Sequence, residues 1–215
     1  MMKTAVIAGA TGLIGKELVN QLLNSPRYAQ VVALTRRPWR QEYPKFINVV
    51  TDFKDLDKAL AQYRIDDVFC CLGTTIAKAG SKDKFAEVDL TYPLALAKAT
   101  LALGAKQYML VTALGADRSS SIFYNRVKGQ VEEAIRAEPF SAVHIFRPSL
   151  LLGSREEKRA GEEAAKVVYK YLGFLIPEKY KGIEGRTVAK AMQEMAAREQ
   201  PGVFVHESKE MQQFA

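Results

Sequence analysis

A glycine-rich turn stands between a predicted strand and a predicted helix at the start of the chain. The apolar run over residues 4–8 contains β-branched side chains and predicts a buried strand, and residues 13–23 carry apolar side chains at helical spacing. A turn in this context is typical of dinucleotide binding. Gly9 permits the tight turn, Gly12 lets a pyrophosphate approach the amides that begin the helix, and Gly15 lets the helix pack against the strand. The cofactor-binding residues predicted here are Gly9, Thr11, Gly12, Leu13, Ile14 and Gly15.

The same stretch nearly matches the phosphate-binding loop of nucleoside triphosphatases, G-x-x-x-x-G-K-[ST]. Gly15 and Lys16 fit that pattern. However, Ala10 stands where the first glycine is required, and Glu17 replaces the hydroxyl residue that would hold Mg²⁺. A glycine turn after a strand is also common without any ligand. The turn therefore favours a dinucleotide only in combination with other features.

Composition limits the classes of partner. The chain has 215 residues, of which 48% are hydrophobic and 26% are charged, as expected for one soluble domain. The net charge is +7, but Lys and Arg are spread along the chain without a block of five. We expect a small-molecule substrate, no nucleic acid and no membrane partner. A protein partner stays open, and the sequence does not fix the oligomeric state.

The cysteines and histidines predict no metal site. Cys70 and Cys71 are neighbours, with Cα atoms about 3.8 Å apart, which is below the usual disulfide range. They are interpreted as reduced strand residues, and a cytoplasmic location is predicted from them. His144 and His206 stand alone in the sequence and are interpreted as structural residues.

Strands alternate with helices along most of the chain, which predicts an α/β, doubly wound Rossmann fold with a mostly parallel sheet. Strands are predicted over residues 4–8, 31–35, 46–51, 67–72, 108–112 and 142–146, and helices over 13–23, 56–63, 85–103 with an interruption near Pro93, and 123–136. After Gly153 the pattern changes to helices over 155–172 and 187–197 and a strand over 203–206. We expect a single NAD(P)-binding domain over 1–215, in which 154–215 is a small C-terminal helical and strand extension on the substrate side, packed against the carboxyl edge of the sheet.

Two arginines follow the second predicted strand, where this architecture meets the adenosine ribose. Arg36 and Arg37 offer forked donors that suit a 2′-phosphate, and no acid is present to bind a free 2′-hydroxyl. They predict NADP(H) rather than NAD; the alternative is a surface arginine pair.

Two further strand ends complete the predicted cofactor site. Asp52 and Phe53 follow the third strand and are placed to bracket the adenine. The segment after the fourth strand is placed near the ribose on the nicotinamide side, and its predicted contacts are Cys71, Leu72, Gly73 and Thr74.

Tyr124 and Lys128 are four residues apart on the helix after the fifth predicted strand. This spacing puts both side chains on one face. A nearby ammonium lowers the pKa of a tyrosine, which makes the phenol an acid or base near neutrality, and the lysine can also hold the cofactor ribose. The alternative is a half-buried core tyrosine beside a solvated lysine.

Thr112 ends the fifth predicted strand, twelve residues before Tyr124. Its hydroxyl is a candidate to orient a substrate carbonyl, and the alternative is an ordinary strand threonine. The serines at 119–121 lie before the helix without a G-x-S-x-G motif, so they are interpreted as a substrate-side loop rather than hydrolase nucleophiles.

These motifs resemble the short-chain dehydrogenase/reductase superfamily. Residues 9–15 resemble its G-A-T-G-x-x-G variant, and residues 124–128 its Y-x-x-x-K motif. Three further stretches, residues 71–75 with 78–80, 115–117 and 146–153, are similar to small atypical members related to the Tat-interacting oxidoreductase.

That resemblance implies a Rossmann-type sheet, bound NADPH, and catalytic roles for Tyr124 and Lys128. It also implies a serine-type hydroxyl that falls on Thr112, where threonine is a departure. Some relatives support the lysine with an asparagine; Asp89 occupies the approximate region, and no role is assigned to it.

The predicted function is an NADPH-dependent oxidoreductase acting on a carbonyl or alcohol. The alternative is an NADP(H)-binding regulatory protein with little or no turnover, because related atypical members include binding proteins. A sugar-nucleotide epimerase shares the motifs, but the roughly sixty residues after Gly153 are few for a domain that holds a second nucleotide.

Overall fold

The computed structural model describes residues 2–153 and 181–215. The helix predicted over 155–172 lies outside them. The strands are β1 Lys3–Ala8, β2 Tyr28–Thr35, β3 Phe46–Val50, β4 Asp67–Cys70, β5 Gln107–Val111, β6 Ala142–Arg147, β7 Leu151–Leu152, β8 Ile183–Glu184 and β9 Gly202–Glu207. The α-helices are α1 Leu13–Asn24, α2 Leu56–Leu60, α3 Ile76–Ala79, α4 Lys82–Ala86, α5 Tyr92–Ala102, α6 Phe123–Arg136, α7 Gly185–Arg198 and α8 Ser208–Met211. A π-helical turn covers Glu87–Thr91, and a 3₁₀ turn covers Gln212–Phe214.

Seven of these strands form one sheet in the order β3-β2-β1-β4-β5-β6-β9, and every neighbouring pair is parallel. This arrangement confirms the predicted doubly wound fold. The chain builds the sheet outward from β1 in one direction and then crosses to β4 to build it in the other. The carboxyl ends of β1 and β4 therefore form the crevice where ligands bind in such sheets.

The described part of the C-terminal tail lies elsewhere than expected. β9 pairs along β6 as the seventh strand, with Phe204 beside His144, and α7 packs against α1 on one face of the sheet. The tail was expected at the carboxyl edge, but its short apolar run supplies backbone groups that complete the ladder along β6. These two elements belong to the body of the sheet.

Both faces of the sheet are covered by helices. On one face, α1 and α7 bury residues such as Leu18 and Met192; on the other, α5 and α6 bury residues such as Leu96 and Val131. Burial on both faces accounts for the continuous apolar runs of the central strands. Burial of apolar surface on this scale is the main stabilising contribution to such a domain.

The amino edge of the sheet is closed by a buried polar network. Asp67 is fully buried and accepts hydrogen bonds from the Tyr28 hydroxyl at 2.8 Å and the Gln107 amide at 2.8 Å. Lys3 lies 3.2 Å from the same carboxylate. A buried carboxylate needs such partners. Asp67 and its partners thus link the amino ends of β1, β2, β4 and β5.

The interruption predicted near Pro93 is a wide helical turn. Pro93 lies at the start of α5 and has no N–H to donate to the carbonyl of Asp89, four residues earlier. The preceding residues, Glu87–Thr91, adopt the π-helical spacing instead. Such turns inside helices are frequent at functional sites.

His144 and His206 do not stand alone in the structure. Nδ1 of His144 and Nε2 of His206 lie 3.0 Å apart, and both rings stack with Phe146 and Phe204 on neighbouring strands. Burial, with smaller contributions from His206 and Arg198, lowers the pKa of His144 to about 4. The pair is neutral at pH 7 and belongs to the core, away from the predicted cofactor site.

The buried histidine predicts acid sensitivity of the fold. Between pH 6.5 and 4, unfolded His144 binds a proton that the folded state excludes, so the free energy of unfolding falls as the pH drops through this window. We expect a loss of up to about 3 kcal/mol. Urea denaturation at several pH values in this window measures the free energy of unfolding. His144→Phe, which matches its aromatic neighbours, should show a shallower pH dependence; an equal slope in both proteins would contradict the assignment.

Candidate cofactor and catalytic site

The first and third glycines of the opening turn are required by packing. Gly9 has a φ of +78°, and a Cβ placed on it would lie 2.4 Å from the carbonyl oxygen of Cys71. A Cβ on Gly15 would lie 2.1 Å from the carbonyl oxygen of Gly9. No real side chain fits at either position without a backbone shift. These contacts hold the turn after β1 against the segment after β4.

Gly12 is less tightly enclosed than Gly9 and Gly15. A Cβ there would meet only the Gly9 carbonyl oxygen, at 3.2 Å. Gly12 is the N-cap of α1 in an extended conformation, no side chain caps the helix, and its first turn contains no acid. The amides that begin a helix lack partners within the helix and favour an anion. The uncapped N-terminus at the crevice therefore fits a pyrophosphate.

Leu13 and Ile14 reach this crevice only through their backbone amides. The Leu13 side chain is covered by Gly153 and Gly185, whose Cβ atoms would lie 2.6 Å and 2.9 Å from it. Ile14 is 5% exposed and packs in the core. Thr11 is exposed beside Gly12. The packing of these two side chains thus fixes the start of α1, and their amides would be the groups that meet a pyrophosphate there.

Arg36 and Arg37 are exposed at the carboxyl end of β2. Among residues 2–153 and 181–215, neither guanidinium forms an ion pair with a carboxylate. The Thr35 hydroxyl donates to the Arg37 carbonyl at 2.7 Å and fixes the turn. Within this part of the chain, both guanidinium groups therefore lie at the strand end without a carboxylate partner.

Two predicted contacts have their side chains turned inward. Phe53 has a φ of +68°, is 5% exposed and stacks on Tyr92 with ring centroids 5.2 Å apart. The Cys71 thiol lies 4.0 Å from the sulfur of Met192 in the core. Phe53 and Cys71 can therefore meet a cofactor only through backbone atoms, whereas Asp52 keeps an exposed side chain. A bulky residue at positive φ is strained, and such strain is concentrated at functional sites.

Lys128 is buried rather than solvated. Its side chain is 5% exposed and lies under the segment after β4: a Cβ on Gly73 would lie 3.7 Å from Nζ. Tyr124, one turn earlier on α6, packs its ring on Phe85 at 5.5 Å. Burial opposes the lysine charge, but the Asp89 carboxylate and then the Tyr124 phenol outweigh it and raise the pKa of Lys128. The ammonium therefore stays protonated beside Tyr124.

Asp89 is a site residue to which sequence reasoning assigned no role. Its carboxylate lies 2.7 Å from Nζ of Lys128, and its other oxygen accepts the Thr74 amide hydrogen at 2.9 Å. The available signal was its position four residues after Phe85, on the buried stripe of the helix. An acid on that stripe requires a buried partner.

The hydroxyl of Thr112 is engaged with another side chain. It donates to Glu132 at 2.7 Å, and Glu132 is buried and paired with Arg147. The hydroxyl hydrogen is thus committed to a carboxylate. Orientation of a substrate carbonyl by Thr112 stays a prediction, and it requires the hydrogen to leave Glu132. Neither Glu132 nor Arg147 was predicted as a partner of Thr112.

Family comparison agrees with this geometry. The model of the NAD dependent epimerase/dehydratase family matches residues 5–204. The chain belongs to this family. Protein HTATIP2 of Rattus norvegicus is 40% identical over 177 residues, covering 80% of this chain and 72% of the relative. The resemblance to atypical short-chain dehydrogenase/reductases related to the Tat-interacting oxidoreductase is thereby confirmed.

Solved structures share the fold. The structure of MoeE5 in complex with UDP-glucose and NAD is 18% identical, with a TM-score of 0.71, and the match covers 94% of this chain and 74% of that one. The Bordetella bronchiseptica enzyme WbmH in complex with NAD⁺ is 14% identical, with a TM-score of 0.74, over 97% of this chain and 76% of that one. At these identities the likeness is one of fold.

The predicted cytoplasmic location was wrong. The relative from Candida glabrata, 35% identical over 161 residues covering 74% of this chain and 68% of the relative, is named protein FMP52, mitochondrial, and the Emericella nidulans relative has a matching name. Cys70 and Cys71 are free thiols. Free thiols indicate a reducing environment and do not identify the compartment.

The part of the chain that the structure describes contains neither a membrane-spanning helix nor a metal-binding cluster. Over residues 2–153 and 181–215, no helix has both the length and the apolar character needed to cross a membrane. In the same ranges, no three or more His, Cys, Asp or Glu side chains are grouped so that they could hold a metal ion.

Proposed function

We propose that the chain is an NADP(H)-dependent oxidoreductase that interconverts a small-molecule carbonyl and its alcohol. One observation carries the proposal: the three residues after β4 join the glycine turn to the tyrosine–lysine pair. The Cys71 carbonyl lies against Gly9, and Gly73 lies over Lys128. If its pyrophosphate were bound at the start of α1, a dinucleotide would extend along this segment and bring its nicotinamide end to Tyr124.

Each group of residues has a separate role in the proposed reaction. The amides that begin α1 would hold the pyrophosphate, Arg36 and Arg37 a 2′-phosphate, and Lys128 a ribose. When bound there, the cofactor would provide a hydride for the carbonyl carbon. Tyr124 gives a proton to the carbonyl oxygen, so that an alcohol forms, and the protonated Lys128 stabilises the phenolate that remains.

The direct test is NADPH consumption by the purified protein against a panel of aldehydes and ketones. The proposal predicts substrate-dependent oxidation of NADPH. Saturable NADPH binding without turnover on the panel would instead favour the regulatory alternative. A specific contact supports that alternative, because the Thr112 hydrogen is held by Glu132 rather than offered to a substrate.

The arginines predict cofactor preference. Replacing both in Arg36→Ala/Arg37→Ala should weaken NADPH binding at least about 10- to 100-fold, because even one charge-assisted hydrogen bond contributes about 1.5–3 kcal/mol. NADH binding should change little. Isothermal titration with both cofactors measures this, and Arg40→Ala, which removes an exposed arginine from the same loop, is the matched control. Equal losses for NADPH and NADH would contradict a phosphate contact.

A further inference from the structure

We infer that Asn48 is a positioning residue for cofactor selectivity, whose side chain fixes the turn that carries Arg36 and Arg37 at the carboxyl end of β2. The inference deepens the proposed function and rests on it, because it requires these arginines to meet the 2′-phosphate of NADPH. It is independent of the carbonyl substrate, and it can be tested by cofactor binding alone.

The Asn48 amide is bonded to both sides of this turn. Its Nδ2 donates to the Ala33 carbonyl at 3.0 Å and to the Thr35 hydroxyl oxygen at 2.8 Å, both in β2. Its Oδ1 accepts the amide hydrogen of Trp39 at 2.8 Å. Both amide hydrogens and the amide oxygen are therefore engaged. One side chain of β3 thus joins the end of β2 to the residue two positions after Arg37.

Thr35 extends this connection to the backbone between the two anchors. Its hydroxyl oxygen accepts from Asn48, and its hydrogen is donated to the Arg37 carbonyl at 2.7 Å. A hydroxyl has one hydrogen, and the bond from Asn48 occupies a lone pair, so the two contacts support each other. The backbone of Arg37 is held through its own carbonyl and, two residues later, through the amide of Trp39.

Asparagine is an unusual residue for the place of Asn48. β3 is otherwise apolar, and asparagine is depleted in strands. The register of β3 against β2 passes through the pair Asn48–Ala33, and backbone groups form that ladder without the side chain. Phe46, two residues earlier on the same face of β3, packs edge-to-face on Trp39 with ring centroids 5.4 Å apart. This face of β3 therefore holds both the backbone and the ring of Trp39.

A fixed turn matters because the arginine side chains are long and exposed. Arg36 and Arg37 stand at the strand end, and their guanidinium groups can meet a phosphate with good geometry only if the backbone beneath them is held. Ordering a loose turn at the moment of binding costs conformational entropy, which a turn ordered beforehand avoids. Loss of Asn48 should therefore weaken binding of the cofactor that carries the 2′-phosphate, while contacts at the start of α1 stay in place.

Asn48→Leu removes all three hydrogen bonds and keeps a side chain of similar size. We expect it to weaken NADPH binding about tenfold and to change NADH binding by less than about twofold. Isothermal titration with both cofactors measures the two affinities. Asn20→Leu, which makes the same change at an exposed position of α1, is the matched control and should leave both affinities unchanged.

Two changes at Thr35 test the same connection with a smaller disturbance of the fold, and they decide the matter if Asn48→Leu does not fold. Thr35→Val removes the hydroxyl and keeps the shape, so NADPH binding should weaken about threefold or more while NADH binding is retained. Thr35→Ser keeps the hydroxyl and should restore wild-type selectivity. A merely structural defect would lower the affinities for both cofactors equally.

The outcomes separate this inference from the proposed function. Equal losses for NADPH and NADH, or a preference for NADPH that survives in both Asn48→Leu and Thr35→Val, would overturn the positioning role. If the wild-type protein turns over no carbonyl but loses its preference for NADPH in these variants, the proposed oxidoreductase fails and the inference stands. A wild-type protein that reduces carbonyls equally well with both cofactors would overturn the inference while the oxidoreductase activity stands.

Discussion

Tyr124→Phe is expected to bind NADPH almost as the wild-type protein does and to reduce a carbonyl substrate about 10²- to 10⁴-fold more slowly. In the proposed reaction the phenol supplies the proton, whereas its ring packs on Phe85 and is retained in phenylalanine. Initial rates of NADPH oxidation and isothermal titration measure the two quantities. Tyr63→Phe, which removes a hydroxyl that accepts a hydrogen bond from Gln62 at 2.9 Å, is the matched control and should keep full activity.

A different distribution of effects would change the assignment. Turnover that survives in Tyr124→Phe would remove the phenol from the mechanism. Loss of both turnover and NADPH affinity would mean that Tyr124 acts mainly as a cofactor contact, with the proton supplied elsewhere.

Gly15→Ala is expected to lower mainly the stability of the fold, and Gly12→Ala is expected to lower mainly the affinity for NADPH. A Cβ on Gly15 would lie 2.1 Å from a backbone oxygen, so the turn must shift, and we expect a loss of about 3 kcal/mol in the free energy of unfolding. A Cβ on Gly12 would lie 3.2 Å from the Gly9 carbonyl oxygen, so the backbone must give by only a few tenths of an ångström, and we expect a much smaller loss of stability than in Gly15→Ala. It would instead occupy the side from which a pyrophosphate approaches, and NADPH affinity should fall at least about tenfold.

Urea denaturation and NADPH titration of both variants test this contrast. Gly12→Ala with unchanged NADPH affinity would place the pyrophosphate away from the start of α1. Gly15→Ala with unchanged stability would show that the turn adapts more easily than its close contacts indicate.

The fold could be predicted where local pattern decides it. The helix predicted over 123–136 has the observed limits of α6, because its apolar side chains follow one helical face without interruption. The central strands were recognisable as continuous apolar runs. The position of β9 could not be predicted in this way, because pairing with β6 depends on contacts between residues about sixty positions apart.

The parts of the site that could be predicted are those formed by residues close together in the sequence. The glycine turn and the arginines lie at the expected strand ends. Asp89 and the engagement of Thr112 were not predicted, because each depends on a partner from a different element. The inward turn of Phe53 depends on a backbone conformation that its residue type does not favour.

Titration of the wild-type protein with NADPH tests the central claim most directly. Trp39, the sole tryptophan of the chain, lies two residues after Arg37, so its fluorescence can report an occupied site. The structure predicts saturable one-to-one binding that Gly12→Ala weakens and Tyr124→Phe retains. Absence of saturable binding for both NADPH and NADH would contradict a dinucleotide site at the start of α1.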